Sequence, residues 1–463
     1  MLPAESLAVW KAVLPPGVEV DQSYPPPHPQ VDFEEHFKLP AHSTKPLQTL
    51  HTHPLDERLS FLEEPHIYLK DGLVPTTTSV TSCAHEFDEE FDGLAAISGM
   101  KAGRSQSWPR LEYVLNAKEA DAASYAPGQG ILAHAEGKTI SVVQPHSLGE
   151  ASTFDHAMRM LRVVRNKSSS CSVDDEGVTF HSFDRELTEQ EILDSWTRKG
   201  RLACNMGTEG HYLAELYFNG LPTRWWEGEM KVVQWFAETH MMPKQLVAYN
   251  TEKEILCLDA DLAGSLDLIV YDPRLKIHHI VDHKRSPKLK QDLRGYKKMK
   301  PPFTHLDACK GAAYALQTSI YQYVLERDYG MRIGSRVLLS IHPDVPFVTS
   351  VPYLRAEVEY IMNRRFALTK ARNTVADAHS ELRCALTAAP LVDAVTVTSE
   401  GPHKGKLAME KAAVVAGVEH EPAQSVRDRF EAEVQAVMEA VELDKSKCVN
   451  WRKLMPEGGL PPF

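Results

Sequence analysis

The 463-residue sequence lacks the features that mark membrane, secreted and zinc-ribbon proteins. It has no run of about 18 apolar residues, so we expect no transmembrane helix and no membrane partner. Its seven cysteines are scattered and form no C-x-x-C pair, which argues against a disulfide framework and a zinc ribbon. The N-terminal residues lack the basic-then-apolar build of a secretory signal. We therefore expect an intracellular, non-secreted protein with reduced thiols.

The chain also has no excess of basic charge. It contains 51 Lys and Arg residues against 63 Asp and Glu residues, a formal net charge of −12. This balance argues against a protein that coats DNA nonspecifically. An acidic protein can still bind nucleic acid where its bases are concentrated, so the distribution of charge matters more than its sum.

Length and patterning predict one main domain with additions at both ends, since a single core stops growing near ~250–300 residues. Residues 1–57 are rich in proline and histidine and predict an extended arm. Residues 58–375 predict an α/β (α+β) domain with a central mixed β-sheet flanked by helices. Within it, residues of about 120–186 are rich in Gly, Ser and Asp and predict a loop-like insertion. Residues 376–463 predict a linker and an amphipathic helix, which together form a helical tail.

Two apolar strand segments, each with a carboxylate inside it, carry the strongest chemical signal. Segment 262–270 contains Asp267, and segment 279–284 ends in an Asp-x-Lys triplet. Residues two apart on a strand share a face, so Asp282 and Lys284 point the same way. Two buried carboxylates on adjoining strands predict a hard-oxygen site for Mg²⁺ or Mn²⁺. The alternative is a structural Asp–Lys ion pair at a strand end.

Two helical segments near these strands carry polar pairs four residues apart. His211 and Glu215 share one face of a helix predicted at 211–218. Histidine can bind a metal, and a glutamate can bind one directly or through water. Gln317 and Tyr321 share a face of the next long helix. Each pair alone is common on solvated helices.

The order of these elements is more specific than any one of them. G-T-E-G-H-Y-L-A-E at 207–215 is followed by G-S-L-D at 264–267, D-H-K at 282–284 and Q-T-S-I-Y at 317–321. This series resembles the PD-(D/E)xK nuclease superfamily, in particular its RecB-like exonuclease branch. It is also similar to nucleases of large DNA viruses and phages. The resemblance covers about residues 60–350.

The resemblance implies a restriction-endonuclease-like core and a Mg²⁺- or Mn²⁺-dependent deoxyribonuclease, an exonuclease acting on DNA ends or single strands. The implied metal ligands are His211, Asp267, Asp282 and the carbonyl of His283. The implied catalytic residue is Lys284, acting with Asp267, Asp282 and Glu215. Glu252, Gln317 and Tyr321 would support the site or contact DNA. Some relatives carry an iron–sulfur cluster built from an early cysteine and a late C-x-x-C group. That late group is missing, so we expect no such cluster. The setting (nuclear, organellar or viral) and a helicase or other DNA-processing partner stay open.

The densest basic run follows directly after the second carboxylate strand. Between residues 284 and 300 there are eight bases and one acid. The bases are Lys284, Arg285, Lys288, Lys290, Arg294, Lys297, Lys298 and Lys300. Such a run can track a phosphate backbone, although it could also be a nuclear-import signal or a solvated loop. Its position beside the carboxylates favours DNA contact.

Two other functions remain open at this point. The chain could bind nucleic acid on a nuclease fold without turnover. It could also be a structural component of a DNA-processing or packaging complex that docks through the arm and the C-terminal helix. The sequence leaves open the polarity of digestion, the choice between DNA and RNA, and the oligomeric state.

Overall fold

The structure is a computed structural model. It describes residues 46–89, 91–104, 114–120, 131–135, 138–142, 170–173, 179–221, 228–448, 450–456 and 459–463. The chain divides into two compact units, one formed by Met1–Glu89 with Asn205–Phe463 and the other by Glu90–Cys204. Most of the predicted arm, up to residue 45, lies outside the described residues. No helix in the described part of the chain is long and apolar enough to cross a membrane.

The described part of the first unit begins with helix α1 (Pro46–Leu50), a 3₁₀ turn (Asp56–Arg58) and a sheet of β1 (Leu59–Leu62), β2 (Ile67–Lys70) and β3 (Val74–Pro75). Strand β4 (Thr78–Ser79) then leads into α2 (Val80–His85). The Ser79 hydroxyl caps this helix by accepting the backbone N–H of Ser82 at 3.1 Å.

The last part of the predicted arm packs against the domain instead of extending from it. The ring of His51 stacks on Tyr249, with 3.8 Å between the centroids. The Gln48 amide donates to the backbone carbonyls of Thr251 and Glu252 at 2.6 and 3.0 Å. These contacts join the arm to a strand of the central sheet, which proline content alone could not indicate.

The second unit contains strands where we expected a loop-like insertion. Its elements are α3 (Gly93–Gly99), a π turn (Met100–Arg104), β5 (Val114–Ala120), β6 (Ile131–Ala135), β7 (Lys138–Val142), β8 (Ser170–Val173), β9 (Thr179–Glu186) and the first part of α4 (Glu189–Phe218). Strands β5, β9 and β8 form one antiparallel sheet in that order, and β6 pairs with β7. These strands have four to eight residues each, and a composition rich in turn-forming residues does not exclude strands this short.

Helix α4 starts at the capping box that its sequence predicts. The backbone N–H of Thr188 donates to the Glu191 carboxylate at 2.8 Å, and the N–H of Glu191 donates to the Thr188 hydroxyl at 3.2 Å. The helix then continues through the segment predicted separately at 211–218. It passes Gly210, where an added Cβ would lie 2.7 Å from Cδ1 of Ile341. That glycine therefore allows close packing and does not end the helix.

The remaining elements belong to the first unit. In chain order they are α5 (Gly228–Phe236), β10 (Val247–Cys257), β11 (Leu262–Asp272), β12 (Ile277–Lys284), α6 (Leu289–Asp292), α7 (Lys310–Arg327), β13 (Ile333–Ser340), β14 (Phe347–Val351), α8 (Arg355–Ala378), β15 (Ala394–Val397), β16 (Leu407–Met409), α9 (Glu410–Val415), β17 (His420–Pro422), α10 (Gln424–Glu439) and α11 (Trp451–Leu454). Short turns of π or 3₁₀ type lie at Ala237–Met241, Met242–Lys244 and Ser380–Leu382.

The central sheet is mixed and lies between two layers of helices, which confirms the mixed α/β class. Its strand order is β10-β11-β12-β13-β14, and β4 also pairs with β11. Strands β12 and β13 run parallel, as do β4 and β11, and the other pairs are antiparallel. Apolar side chains of α2, α7 and α8 pack on one face, and those of α4 and α5 pack on the other.

Residues 376–463 form more than the predicted linker and amphipathic helix. Strands β16, β15 and β17 make an antiparallel sheet in that order, with an apolar cluster of its own. Helix α10 follows close to the predicted amphipathic helix. Beyond it, Trp451 is fully buried in the main core, and its indole N–H donates to the carbonyl of Leu293 at 2.8 Å. The strands have only three or four residues each, too few for an alternating pattern to stand out.

A candidate metal centre at the fork of the central sheet

Strand β11 changes partner along one edge, and this creates a fork in the sheet. Leu262 and Ala263 pair with β4, whereas 268–272 pair with β12. Residues 264–267 lie between these two pairings. The Asp267 carboxylate sits at this point, and its Oδ2 accepts the backbone N–H of His283 at 2.5 Å. A side-chain oxygen thus satisfies a backbone donor where the two strands separate.

Three candidate metal ligands meet at the fork. Nδ1 of His211, on α4, lies 3.5 Å from Oδ1 of Asp267 and 4.0 Å from Oε1 of Glu252. One ligand atom of each residue lies within 4.8 Å of the other two. Their side chains are 12% to 28% exposed, so an ion can reach them from solvent. Two carboxylates and an imidazole suit Mn²⁺, and the carboxylate oxygens also suit Mg²⁺.

Glu252 reaches this cluster through an unusual backbone conformation. Its φ is +42°, in the left-handed region that L-residues other than glycine rarely adopt. Holding such a residue there costs about 1–3 kcal/mol. Its two neighbours pair with the residues on either side of Asp267, so Glu252 lies opposite Asp267. The Ser265 hydroxyl donates to its carboxylate at 3.3 Å.

Asp282 and Lys284 form an ion pair on the same face of β12, as strand alternation predicts. Nζ of Lys284 lies 2.8 Å from Oδ2 and 2.9 Å from Oδ1 of Asp282. The ammonium also lies 4.7 Å from the ring centroid of Tyr314 on α7. In the described part of the chain, the three-ligand cluster therefore contains Glu252, which we expected to be secondary, and not Asp282.

Groups from both faces of the sheet act on Asp267 because the strands separate around it. His211 approaches from the side of α4, and Lys284 from the side of α7. Burial raises the pKa of Asp267, but the charges of His211 and Lys284 outweigh it and hold the pKa well below the usual value. Asp267 is therefore ionised at neutral pH and available to a cation.

His211 carries a proton at neutral pH when no cation is present. Burial lowers its pKa, but the charge and hydrogen bond of Asp267 and the charge of Glu252 outweigh burial and raise the pKa to about 9. A metal ligand must be the neutral imidazole, so ion binding here displaces a proton.

Lys284 also remains protonated. Burial lowers its pKa, yet the charges of Asp282 and Asp267 raise it above the ordinary lysine value. Burial raises the pKa of Asp282 to about 6, with Lys284 opposing and Asp267 adding to the shift. Lys284 is thus suited to stabilise developing negative charge and not to remove a proton.

Gln317 and Tyr321 lie behind the fork and support it. The Gln317 amide donates to the Tyr321 hydroxyl at 3.3 Å and to the Thr81 hydroxyl at 3.4 Å. A Cβ added at Gly264 would lie 2.8 Å from Cγ2 of Val80 and 3.0 Å from Cε1 of Tyr321. Gly264 therefore lets α2 and α7 approach the strand just before Asp267. Tyr321 is buried, which favours support over DNA contact.

Two predicted site residues stand apart from the ligand cluster. Glu215 is buried one turn after His211 and is not in the three-ligand group of the described chain. The His283 ring is also buried and lies parallel to Phe218, with 6.3 Å between centroids. Burial lowers its pKa to about 4. Its backbone N–H binds Asp267, and metal ligation by its carbonyl stays a prediction.

The basic run is largely exposed, but several of its members have partners. The ion pairs are Arg285–Glu229 at 2.9 Å, Lys297–Glu89 at 2.8 Å and Lys298–Asp307 at 2.6 Å. Arg285 is only 12% exposed, so it is held against α5. Arg294 donates to the carbonyl of Met455 at 3.3 Å. Of the exposed bases, Lys288 and Lys290, at the short helix α6, lie nearest in sequence to Lys284.

Sequence reasoning missed Tyr314 and Glu229, which contact two of the predicted bases. Tyr314 lies three residues before Gln317, on the helix that carries the Q-x-x-x-Y pair, and this spacing was the available signal. Glu229 offers no comparable signal, because its pairing with Arg285 depends on how α5 packs.

No family model matches the chain, and neither a curated protein nor a solved structure is significantly similar to it. The residues and their geometry therefore carry the functional conclusion.

Proposed function

We propose that the protein is a metal-dependent nuclease that hydrolyses phosphodiester bonds of DNA, at ends or in single strands, with Mg²⁺ or Mn²⁺. One observation carries the proposal. Ligand atoms of His211, Glu252 and Asp267 lie within 4.8 Å of one another. Lys284 is close enough for its charge to lower the pKa of Asp267, and the charge of Asp267 raises the pKa of Lys284. Ligands of this kind beside a lysine are a combination suited to phosphoryl chemistry.

The charge of each residue at the site suggests its role in the reaction. When bound, a divalent ion supplies Lewis-acid polarisation of a phosphate oxygen and a more acidic water. His211, as the neutral imidazole, would hold the ion together with Glu252 and Asp267, and the N–H of His283 orients Asp267. Lys284, fixed by Asp282, stabilises the charge that develops on the phosphate.

The order of elements supports membership of the PD-(D/E)xK superfamily, in its RecB-like branch, with a restriction-endonuclease-like core. Four elements follow one another around a mixed sheet. They are a helix with His211, a strand with Asp267, a strand with Asp-x-Lys and a helix with Gln-x-x-x-Tyr. The fold supports the proposal by analogy, and the site geometry supports it directly. The departure is that Glu252 takes the place in the ligand cluster that we expected for Asp282.

Exposed bases beside the site support a nucleic acid as the substrate. Lys288 and Lys290 follow Lys284 within six residues. Their positive charges could bind the phosphate backbone of a nucleic acid whose scissile bond lies at the site. Enzymes that act on single strands need those strands to be exposed, so a helicase or another DNA-processing protein fits as a partner.

The test is digestion of end-labelled linear, tailed and circular DNA and of RNA, with Mn²⁺, with Mg²⁺ and with a chelator. We expect Lys284→Ala and Asp267→Asn to lower the rate by about 10²–10⁴ and the chelator to abolish it. Lys231→Ala and Asp259→Asn are matched controls, because both side chains are exposed and outside the site. Digestion at the wild-type rate by both site variants would refute the assignment.

The alternative is a protein that binds nucleic acid, or acts as a structural component of a DNA-processing complex, without turnover. The observation that favours it is the close Asp282–Lys284 pair, which a purely structural ion pair would also show. Salt-sensitive DNA binding by the wild type, with no digestion under either metal, would select this alternative.

A further inference from the structure

A second group of metal-ligating side chains lies in the first unit, and the proposed nuclease reaction does not use it. His305 precedes α7, Glu357 lies in the first turn of α8, and Cys448 follows α10 near the C-terminus. One ligand atom of each lies within 4.8 Å of the other two. Nε2 of His305 lies 2.5 Å from Oε1 of Glu357. Residues from three distant parts of the chain thus meet at one point.

The carboxylate at the centre of this group is buried. The Glu357 side chain is 3% exposed and that of His305 is 21% exposed. Burial of a carboxylate is costly unless it is paired or binds a metal. The first turn of α8 and the imidazole lower this cost. The thiol of Cys448 lies beside the same carboxylate and donates to the carbonyl of Asp444 at 3.6 Å.

We propose that His305, Glu357 and Cys448 bind a zinc ion. Nitrogen, oxygen and sulfur ligands are those that zinc takes in proteins, and the thiolate disfavours Mg²⁺ and Mn²⁺. Tetrahedral zinc with bonds of about 2.0–2.3 Å holds its ligand atoms roughly 3.3–3.7 Å apart. The imidazole and the carboxylate must therefore separate by roughly 1 Å when the ion binds. The partial exposure of His305 leaves room for water as a fourth ligand.

The ion would hold the segment around Cys448 against Glu357 on α8 and against His305, in the loop that joins the basic run (284–300) to α7. Other contacts already join them, because the Arg452 guanidinium donates to the buried Asp307 carboxylate at 3.0 Å and to the Gly295 carbonyl at 2.9 Å. Arg294 donates in return to the carbonyl of Met455 at 3.3 Å. If the basic run binds DNA, which rests on the proposed function, zinc also fixes the position of that run. The zinc site itself does not depend on nuclease activity.

Cobalt(II) titration of the full-length, reduced chain tests the site. A thiolate ligand gives Co²⁺ an intense charge-transfer band that nitrogen and oxygen ligands do not give. The cluster of His211, Glu252 and Asp267 contains no sulfur, so it cannot produce this band. We expect one equivalent of Co²⁺ to produce the band and Zn²⁺ to remove it by displacement.

The variants are chosen to separate ligand loss from misfolding. We expect Cys448→Ser to abolish the band and His305→Gln to weaken Co²⁺ binding by more than about 10-fold. Cys204→Ser removes an exposed thiol on α4 and should keep the band, as should Asp267→Asn. Zn²⁺ should raise the thermal unfolding midpoint of the wild type by more than that of Cys448→Ser, which keeps only the cluster of His211, Glu252 and Asp267. The absence of the band in the wild type, or its persistence in Cys448→Ser, would overturn the proposal.

Discussion

Ion binding at the fork should strengthen with pH, because His211 must lose a proton first. Its pKa is about 9, so about 1% of the imidazole is neutral at pH 7 and about 10% at pH 8. The apparent affinity for Mn²⁺ should therefore rise about tenfold per pH unit and level off above pH 9. At pH 7 proton competition opposes binding by roughly 3 kcal/mol.

Calorimetric titration of Mn²⁺ into the full chain, from about pH 7 to about pH 8.5, measures this dependence. Repeating it in two buffers of different ionisation enthalpy gives the number of protons released, which should be close to one per ion at pH 7. His211→Gln is the control. It should bind more weakly, and its affinity should no longer change across this range. An affinity of the wild type that stays constant from pH 7 to pH 8.5 would show that the imidazole is not a ligand.

The same proton affects the stability of the metal-free chain. The folded-state pKa of His211 is raised above its unfolded value of 6.5. Its contribution is therefore fully present below pH 6.5 and is lost as the pH rises through about 9. Added Mn²⁺ should reverse this loss, because the bound ion supplies the positive charge beside Asp267 and Glu252 that the His211 proton supplied at lower pH.

Three further outcomes follow from packing and charge. Gly264→Ala should lower the free energy of unfolding by about 1–3 kcal/mol in urea denaturation, because its Cβ would press on Val80 and Tyr321. Trp451→Ala should lower it by about 3–5 kcal/mol, and a loss below about 1 kcal/mol would contradict the burial of this residue. Lys288→Ala and Lys290→Ala should each reduce the dependence of log K on log salt by about 1 for DNA binding, measured by fluorescence anisotropy. Unchanged slopes would exclude both lysines from the phosphate path.

Some relations within the candidate site could be predicted from the sequence. Alternation placed Asp282 and Lys284 on one face, and the order of motifs placed His211 beside Asp267. The shared face of Asp282 and Lys284 depends on residues two positions apart, and sequence patterns report such local relations well. The meeting of His211 and Asp267 was expected only from the resemblance.

The features that the sequence did not predict depend on contacts between distant residues. Glu252 enters the ligand cluster because of its left-handed backbone on a strand whose register shifts between Ala248 and Asn250. No periodic pattern indicates such an irregularity. Trp451 fills the main core only because the C-terminal segment returns to it across the loop containing Leu293.

At Glu252 the left-handed backbone lowers the stability of the fold, while the side chain provides a ligand for the candidate metal site. Glycine would adopt this conformation without the strain that a longer side chain carries, so the chain would fold more readily without the carboxylate. Laboratory evolution for heat resistance alone should therefore tend to discard Glu252, and the resulting robust variants would bind cations poorly. Selection for activity would act in the opposite direction.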